Sequence, residues 1–419
     1  MSRFKISKQI VEIAEKADEV SRQIINNYQS SIKYNHIKIL NAFQKSNVYD
    51  ECFKGSTGYG YGDYGRDTLE QLYANVFATE SALVRTQIVS GTHAIALCLF
   101  GILKPNDRII SITGTPYDTL LKVIGYPEIT PGSLREAGIK YEEIQLTPEG
   151  KPDYDAISLK LQTDTKMVLI QRSRGYSLRP SLTIEEIARL IKLVKAINPN
   201  IICFVDNCYG EFVEEKEPPQ VGADLTAGSL IKNPGGGLAP SGGYIVGKEN
   251  LIERISIRLT APGIGKEIGS APGYIYRLLY QGLYMAPHIV AQALESAIFA
   301  AALFSDLGYE VNPLAQEKRT DIIQTIKLCS KESLIAFCQG LQAASPIDAH
   351  VIPEPWAMPG YEDKVIMAGG TFVQGSTIEL SADAPLRSPF AVYLQGGLSK
   401  DYAKIAIINA CQYVLNINQ

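Results

Sequence analysis

A chain of 419 residues, 46% hydrophobic and 20% charged, has enough apolar material for two or three packed units and does not have the composition of a disordered segment. Its formal charge of −4 supplies no positive field for a polyphosphate backbone, which argues against nucleic acid as a partner. Seven cysteines, scattered and without a CxxC pair, beside only four histidines, argue against a disulfide framework or a zinc site and point to reduced thiols in the cytoplasm.

The first twenty residues, MSRFKISKQIVEIAEKADEV, lack the apolar core of a signal peptide. Ile10, Ile13, Ala14 and Ala17 fall on one helical face, so residues 1–50 are expected to form an N-terminal helical arm. The stretch from Lys54 to Asp67, KGSTGYGYGDYGRD, is dense in glycine and tyrosine, the composition of a loop that approaches a ligand closely and aims phenols at it. From 68 to about 260, short apolar runs (ALVRTQIVSG, DRIISIT, KMVLIQ, IICFVDN, LTAGSLIK, GGYIVG) alternate with helical periods. That alternation predicts βαβ units and a mainly parallel sheet covered by helices, a large α/β domain over 51–275. A helical stretch over 275–308 and mixed patterns beyond it predict a linking helix and a smaller α+β domain over 276–419. The longest apolar runs, such as Ile88 to Leu103, are interrupted by Ser90, Gly91, Thr92 and His93 and read as too short to cross a membrane, so no membrane partner is expected.

Four motifs carry chemistry. In IICFVDNCYGEF a buried strand ends on Asp206, where ligands bind in parallel sheets and a carboxylate can hold a cationic ring nitrogen. Alone, such an aspartate reads first as a helix cap. Lys232 follows 26 residues later in GSLIKNPGGG. In a confined apolar cleft its ammonium form would be disfavoured and its amine made nucleophilic toward an aldehyde, although a single lysine of this kind is more often at the surface. Ser229, three residues before it, can turn a hydroxyl to a phosphate, and Gly235, Gly236 and Gly237 allow close backbone approach. In IVSGTHAIALCLFG, Ser90, Gly91 and Thr92 stand between a strand and a helix, where free amides form an anion site or the residues simply cap the helix. Tyr117, in TGTPYDTL, opens another helix and can stack on a planar ring, weak evidence in a chain with 23 tyrosines. No GxGxxG or phosphate-loop signature is completed.

In this order the motifs resemble the fold-type I pyridoxal 5′-phosphate (PLP) enzymes of the cystathionine and methionine γ-lyase group, and more closely the aluminium resistance, cystathionine β-lyase-like branch. GYGYGDYGRDTLE, SGTHAIALCLFG, VDNCYGEF, GSLIKNPGGG and VYLQGGL carry the match. The resemblance implies a large domain of the aspartate aminotransferase type and a PLP Schiff base on Lys232. Asp206 would face the ring nitrogen and Tyr117 would stack on the ring. Ser90, Gly91, Thr92 and Ser229 would hold the phosphate, joined by Arg66 and by Tyr61, with Tyr59 and Tyr64 open as alternatives, from a neighbouring subunit of a homodimer or homotetramer; one of these three phenols, Tyr61 first, would also donate a proton to the leaving group. Tyr59, Arg174 and Arg387 are the candidates for the substrate. Ile231 stands where the family has threonine, and the family's carboxylate-binding arginine has no direct counterpart in AVYLQGGL, so Arg387 is the nearest choice. The segment QRSRGYSLRPS, with Arg172, Arg174 and Arg179, reads either as an anion-binding wall or as a solvated basic loop. The implied activity is β- or γ-elimination from an amino acid, most naturally a sulfur amino acid. Transamination, aldol-type cleavage and cofactor binding without turnover are the alternatives.

Overall fold

Short β-branched runs alternate with amphipathic helices. In the computed structural model, which describes residues 5–161 and 164–417, they become helices α1 (Lys8–Ile25), α2 (Gln29–Lys45) and α3 (Tyr64–Phe77), then strand β1 (Ser81–Arg85). Next come α4 (Gly91–Ile102), β2 (Arg108–Ser111), α5 (Asp118–Ile124), β3 (Lys140–Glu143), α6 (Tyr154–Lys160), β4 (Thr165–Gln171) and α7 (Ile184–Ile197). β5 (Ile202–Asp206), β6 (Leu225–Ser229), β7 (Gly243–Gly247), α8 (Glu249–Leu259) and α9 (Gly273–Asp306) follow. The chain ends with β8 (Val311–Asn312), β9 (Gln324–Lys327), α10 (Lys331–Ala343), β10 (Val365–Ala368), β11 (Ser381–Pro385), β12 (Ala391–Gln395) and α11 (Lys400–Ile417).

The chain divides into two units, residues 34–285 and residues 1–33 with 286–419. The first holds a seven-stranded sheet of order β1-β7-β6-β5-β4-β2-β3. Its β2–β3, β2–β4, β4–β5 and β5–β6 pairs are parallel, and β7 alone runs antiparallel to both neighbours. The inner strands β4, β5 and β6 are buried along both faces because helices cover both. Along β4, Met167 and Leu169 join one core with Ile95, Leu99 and Ile255, while Val168 and Ile170 join the other with Ile187, Leu190 and Val194. This alternation is the period of two of a pleated strand. α7 starts with a capping box between Thr183 and Glu186, which pairs two otherwise orphaned amide donors. α4 packs so closely on α8 that a Cβ on Gly101 would lie 3.0 Å from the Ile255 Cα.

The second unit carries a five-stranded sheet of order β10-β11-β12-β9-β8, antiparallel throughout, with α10 and α11 packed together. A Cβ on Gly340 would lie 2.7 Å from the Ala410 Cα. α1 belongs here: it buries Ile10, Ala14 and Ala17, and its Asp18 meets Lys404 at 2.6 Å, which also reaches Glu295 at 2.8 Å. The expected arm over 1–50 is therefore divided, its first helix grouping with the C-terminal segment. Among the described residues one helix, α9, is long and apolar enough to cross a membrane, unlike the shorter runs singled out in the sequence. However, 78% of its most apolar window is buried inside the protein, as in a core helix.

Candidate active site

The carboxyl ends of the parallel strands lie along one edge of the sheet, where open α/β sheets bind ligands. β5 ends on Asp206, 4% exposed. β6 ends on Ser229, and Lys232 follows at the head of a short turn, Asn233–Gly235. α4 begins at Gly91 with Ser90 as its cap, the Ser90 hydroxyl accepting from the His93 amide at 3.0 Å. A Cβ on Gly91 would lie 3.1 Å from the Ser229 Cβ and 3.5 Å from the Cys208 sulfur, so the helix start, the end of β6 and the turn after β5 touch. The Thr92 and Tyr117 hydroxyls lie 3.1 Å apart. Tyr117 caps α5 and donates its amide to Gln171 Oε1 at the end of β4, 3.0 Å away. Ser90, Gly91, Thr92, Tyr117, Asp206, Ser229 and Lys232 thus share one locale.

Burial raises the Asp206 carboxyl above the usual range, against the pull of Lys232 and of the Cys208 amide, which donates to Oδ1 at 3.1 Å. The Cys208 thiol is driven far upward by burial and by Asp206, and the Tyr117 phenol upward by burial, so both are neutral groups. Lys232 departs from expectation. Burial disfavours its ammonium, but the acidic groups around it outweigh that effect and hold it well above the usual lysine range; with Cys208 and Tyr117 protonated, Asp206 is the carboxyl that favours the cation at neutral pH. In the chain by itself the amine is a cation facing a carboxyl.

The loop over 54–67 stands on four left-handed glycines, Gly55, Gly58, Gly60 and Gly62, with φ of 73, 63, 68 and 65°. It is laced to residues 269–273, the Gly269 amide donating to Tyr59 O at 2.9 Å and the Ser56 amide to Ala271 O at 3.1 Å. Tyr59 and Tyr61 project from it, 67% and 68% exposed. Arg66 is only 1% exposed. It donates to Gly60 O and to Asp67, both at 2.8 Å, and so braces its own loop.

The arginine-rich segment after β4 is not a solvated loop, since Arg172, Arg174 and Arg179 are all buried. Arg172 donates to Asn207 Oδ1 at 2.8 Å and pairs with Glu214 at 3.0 Å. Arg179 donates to the Gln171 and Ser173 carbonyls. Both brace the chain itself, and Arg179 also acts electrostatically on the Asp206 carboxyl. Arg174 donates its backbone amide and Nε to Ser181 Oγ at 3.1 and 3.4 Å. Arg387 lies in the other unit and pairs with Asp363 at 3.2 Å near the surface. Two residues of the VDNCYGEF string escaped notice in the sequence: Tyr209, whose ring lies 3.8 Å from Lys232 Nζ, and Glu211, fully buried and hydrogen-bonded to the Tyr244 hydroxyl at 2.8 Å. An aromatic beside the aspartate turn was the available signal for the first; nothing local marked the second.

A mostly parallel seven-stranded sheet with covering helices, in a chain that also carries a small second sheet, matches the fold of the fold-type I PLP-dependent enzymes. The match extends to sequence: the methionine gamma-lyase family model fits residues 10–415, and the chain belongs to that family, as a carbon–sulfur lyase-like enzyme. It is 54% identical over 377 residues to the uncharacterized protein YnbB of Bacillus subtilis, across 90% of this chain and 89% of the relative. A solved structure from Clostridium novyi NT, named a carbon–sulfur lyase involved in aluminium resistance, is 49% identical with a TM-score of 0.94, covering 98% of this chain and 97% of that one. At 16% identity and a TM-score of 0.59, a candidate O-acetylhomoserine (thiol)-lyase from Campylobacter jejuni that carries a pyridoxyl-lysine monophosphate shares the fold over 86% of this chain and 88% of its own.

Proposed function

We propose that this chain is a PLP-dependent lyase that removes a leaving group from a sulfur amino acid by β- or γ-elimination. One observation carries the reading: the Lys232 amine, the buried Asp206 carboxyl and the start of α4 meet at the same strand ends. These groups fit the cofactor. The bare Gly91, whose Cβ would crowd Ser229, gives an anion access to the α4 amides. A carboxyl buried against solvent needs a cationic partner, which a protonated pyridine nitrogen is. Lys232 is the amine that would hold the aldehyde, Ser90, Gly91, Thr92 and Ser229 would hold the phosphate, and Tyr117 would lie against the ring. When bound, PLP supplies an electron-accepting ring and a ring cation that takes over the charge of Asp206.

Relieved of that counter-charge, Lys232 Nζ is the base that takes the substrate Cα proton, the burial that lowers its pKa now prevailing. Tyr117 stays a protonated phenol because it is buried. The exposed phenols of Tyr59 and Tyr61 are proposed to reach a second copy of the chain, where one of them donates a proton to the departing group. Arg174, buried beside Gly175, whose Cβ would lie 3.5 Å from the Tyr117 Cβ, is the proposed donor to the substrate carboxylate. Free cysteines, six of them buried, support a reducing, cytoplasmic setting.

The test is a panel of sulfur amino acids given to protein loaded with PLP, scored for pyruvate, 2-oxobutyrate and thiol. Keto acid with ammonia and thiol supports elimination; amine exchange without thiol release shows an aminotransferase instead. Lys232→Ala should lose the visible band near ~400 nm, and a band that persists overturns the assignment of the lysine.

A further inference from the structure

The Lys232 ammonium lies on the face of an aromatic ring as well as near a carboxyl. Nζ stands 3.8 Å from the centroid of Tyr209, well within the ~6 Å range over which a ring quadrupole attracts a cation. Tyr209 lies in the turn after β5 with φ of 72°, a left-handed backbone that a bulky residue adopts only where its surroundings impose it. Asn233 imposes it. This residue, directly after Lys232 and 0% exposed, donates Nδ2 to Tyr209 O at 3.0 Å and to Glu211 O at 2.9 Å. The next residue, Gly210, is closed in by Arg172, whose Cδ would lie 2.5 Å from a Cβ there. Lys232 and Asn233 therefore act as a pair: one presents the ammonium and the other fixes the ring beneath it.

Taking Lys232 as the residue that captures PLP, we propose that Tyr209 is a positioning residue whose ring face seats the Lys232 ammonium and so sets the pH at which the free amine becomes available. The other groups facing Lys232 are Asp206, Cys208 and Tyr117, with Glu211 in the same turn. Burial keeps Cys208 and Tyr117 neutral, which leaves Asp206 and the ring as the influences favouring the cation at neutral pH. The ring contribution is separable because it depends on the π face and not on the hydroxyl.

The full chain, freed of cofactor, is mixed with PLP across a pH series for wild type, Tyr209→Phe, Tyr209→Leu and Asn233→Ala. The rate of capture is followed by absorbance, and borohydride reduction with peptide mass spectrometry locates the adduct. Capture requires the unprotonated amine, so loss of the ring lowers the pKa and moves the profile of Tyr209→Leu toward acid by about one pH unit. Tyr209→Phe should track wild type, and a folded Asn233→Ala, with its ring released, should move in the direction of the leucine variant. A leucine profile that coincides with wild type overturns the proposal, as does a phenylalanine profile displaced as far as that of leucine, which would assign the effect to the phenol. Should the wild-type adduct map elsewhere than Lys232, it is the lyase reading that fails.

Discussion

Asp206 and Glu211 lie in one turn and burial raises both carboxyls, but toward different ends. Asp206 faces Lys232, and Asp206→Asn removes the charge that the cofactor ring would use. Turnover should fall by about two orders of magnitude, the ~3 kcal/mol scale of an uncompensated buried charge, in a protein that still binds PLP. Glu211 is pushed up to about 8, mainly by burial and against the hydrogen bond from Tyr244. Because its folded pKa lies above the unfolded value, it costs nothing below pH 4.5 and progressively destabilises the protein as pH rises toward 8, by up to about 1.4 kcal/mol per pH unit. Glu211→Gln, which cannot ionise, should therefore gain on wild type in denaturant unfolding between those limits and not below them; parallel curves would show the carboxyl charged throughout. Lys232 and Asp206 were legible in the sequence because each ends an apolar run. Tyr209 and the burial of Arg172 were not, because the first depends on the sign of one φ angle and the second on Glu214, far along the chain.

At the scale of elements, alanine normally improves a helix in place of glycine by ~1 kcal/mol, and Gly282 in α9 should do the reverse. A Cβ there would lie 2.3 Å from the Gly235 carbonyl oxygen, and Gly235 belongs to the turn that follows Lys232. Gly282→Ala should lower stability by about 1–3 kcal/mol and weaken retention of PLP; a higher melting temperature would contradict this packing. The strands that carry the site were readable as apolar runs, all six expected from 81 to 247 being present. β3 was missed because KYEE, at the sheet edge with no fully buried residue, has no core-facing pattern to show. The place of α1 was also out of reach, since it is fixed by Lys404, a residue nearly 400 positions later.

For the whole molecule, the lyase reading calls for assembly. Light scattering should give a dimer or larger, and replacing Tyr59 and Tyr61 together with serine should reduce turnover at least tenfold, about 1.4 kcal/mol of barrier, without unfolding the monomer. An active monomer, or a double variant with full turnover, would show that the phenols serve no shared site.

The glycines of that loop differ in what they resist. A Cβ on Gly55 or Gly60 would lie 2.4 Å from the Gly273 nitrogen or 2.9 Å from the Ser270 backbone, whereas one on Gly58 or Gly62 would meet open space. At the latter two only handedness is constrained, and asparagine, the residue most at ease in that backbone region, can take their place. The phenol-bearing tip is therefore open to evolutionary revision: two sites can acquire new polar groups while the pair beneath them keeps the loop in its seat.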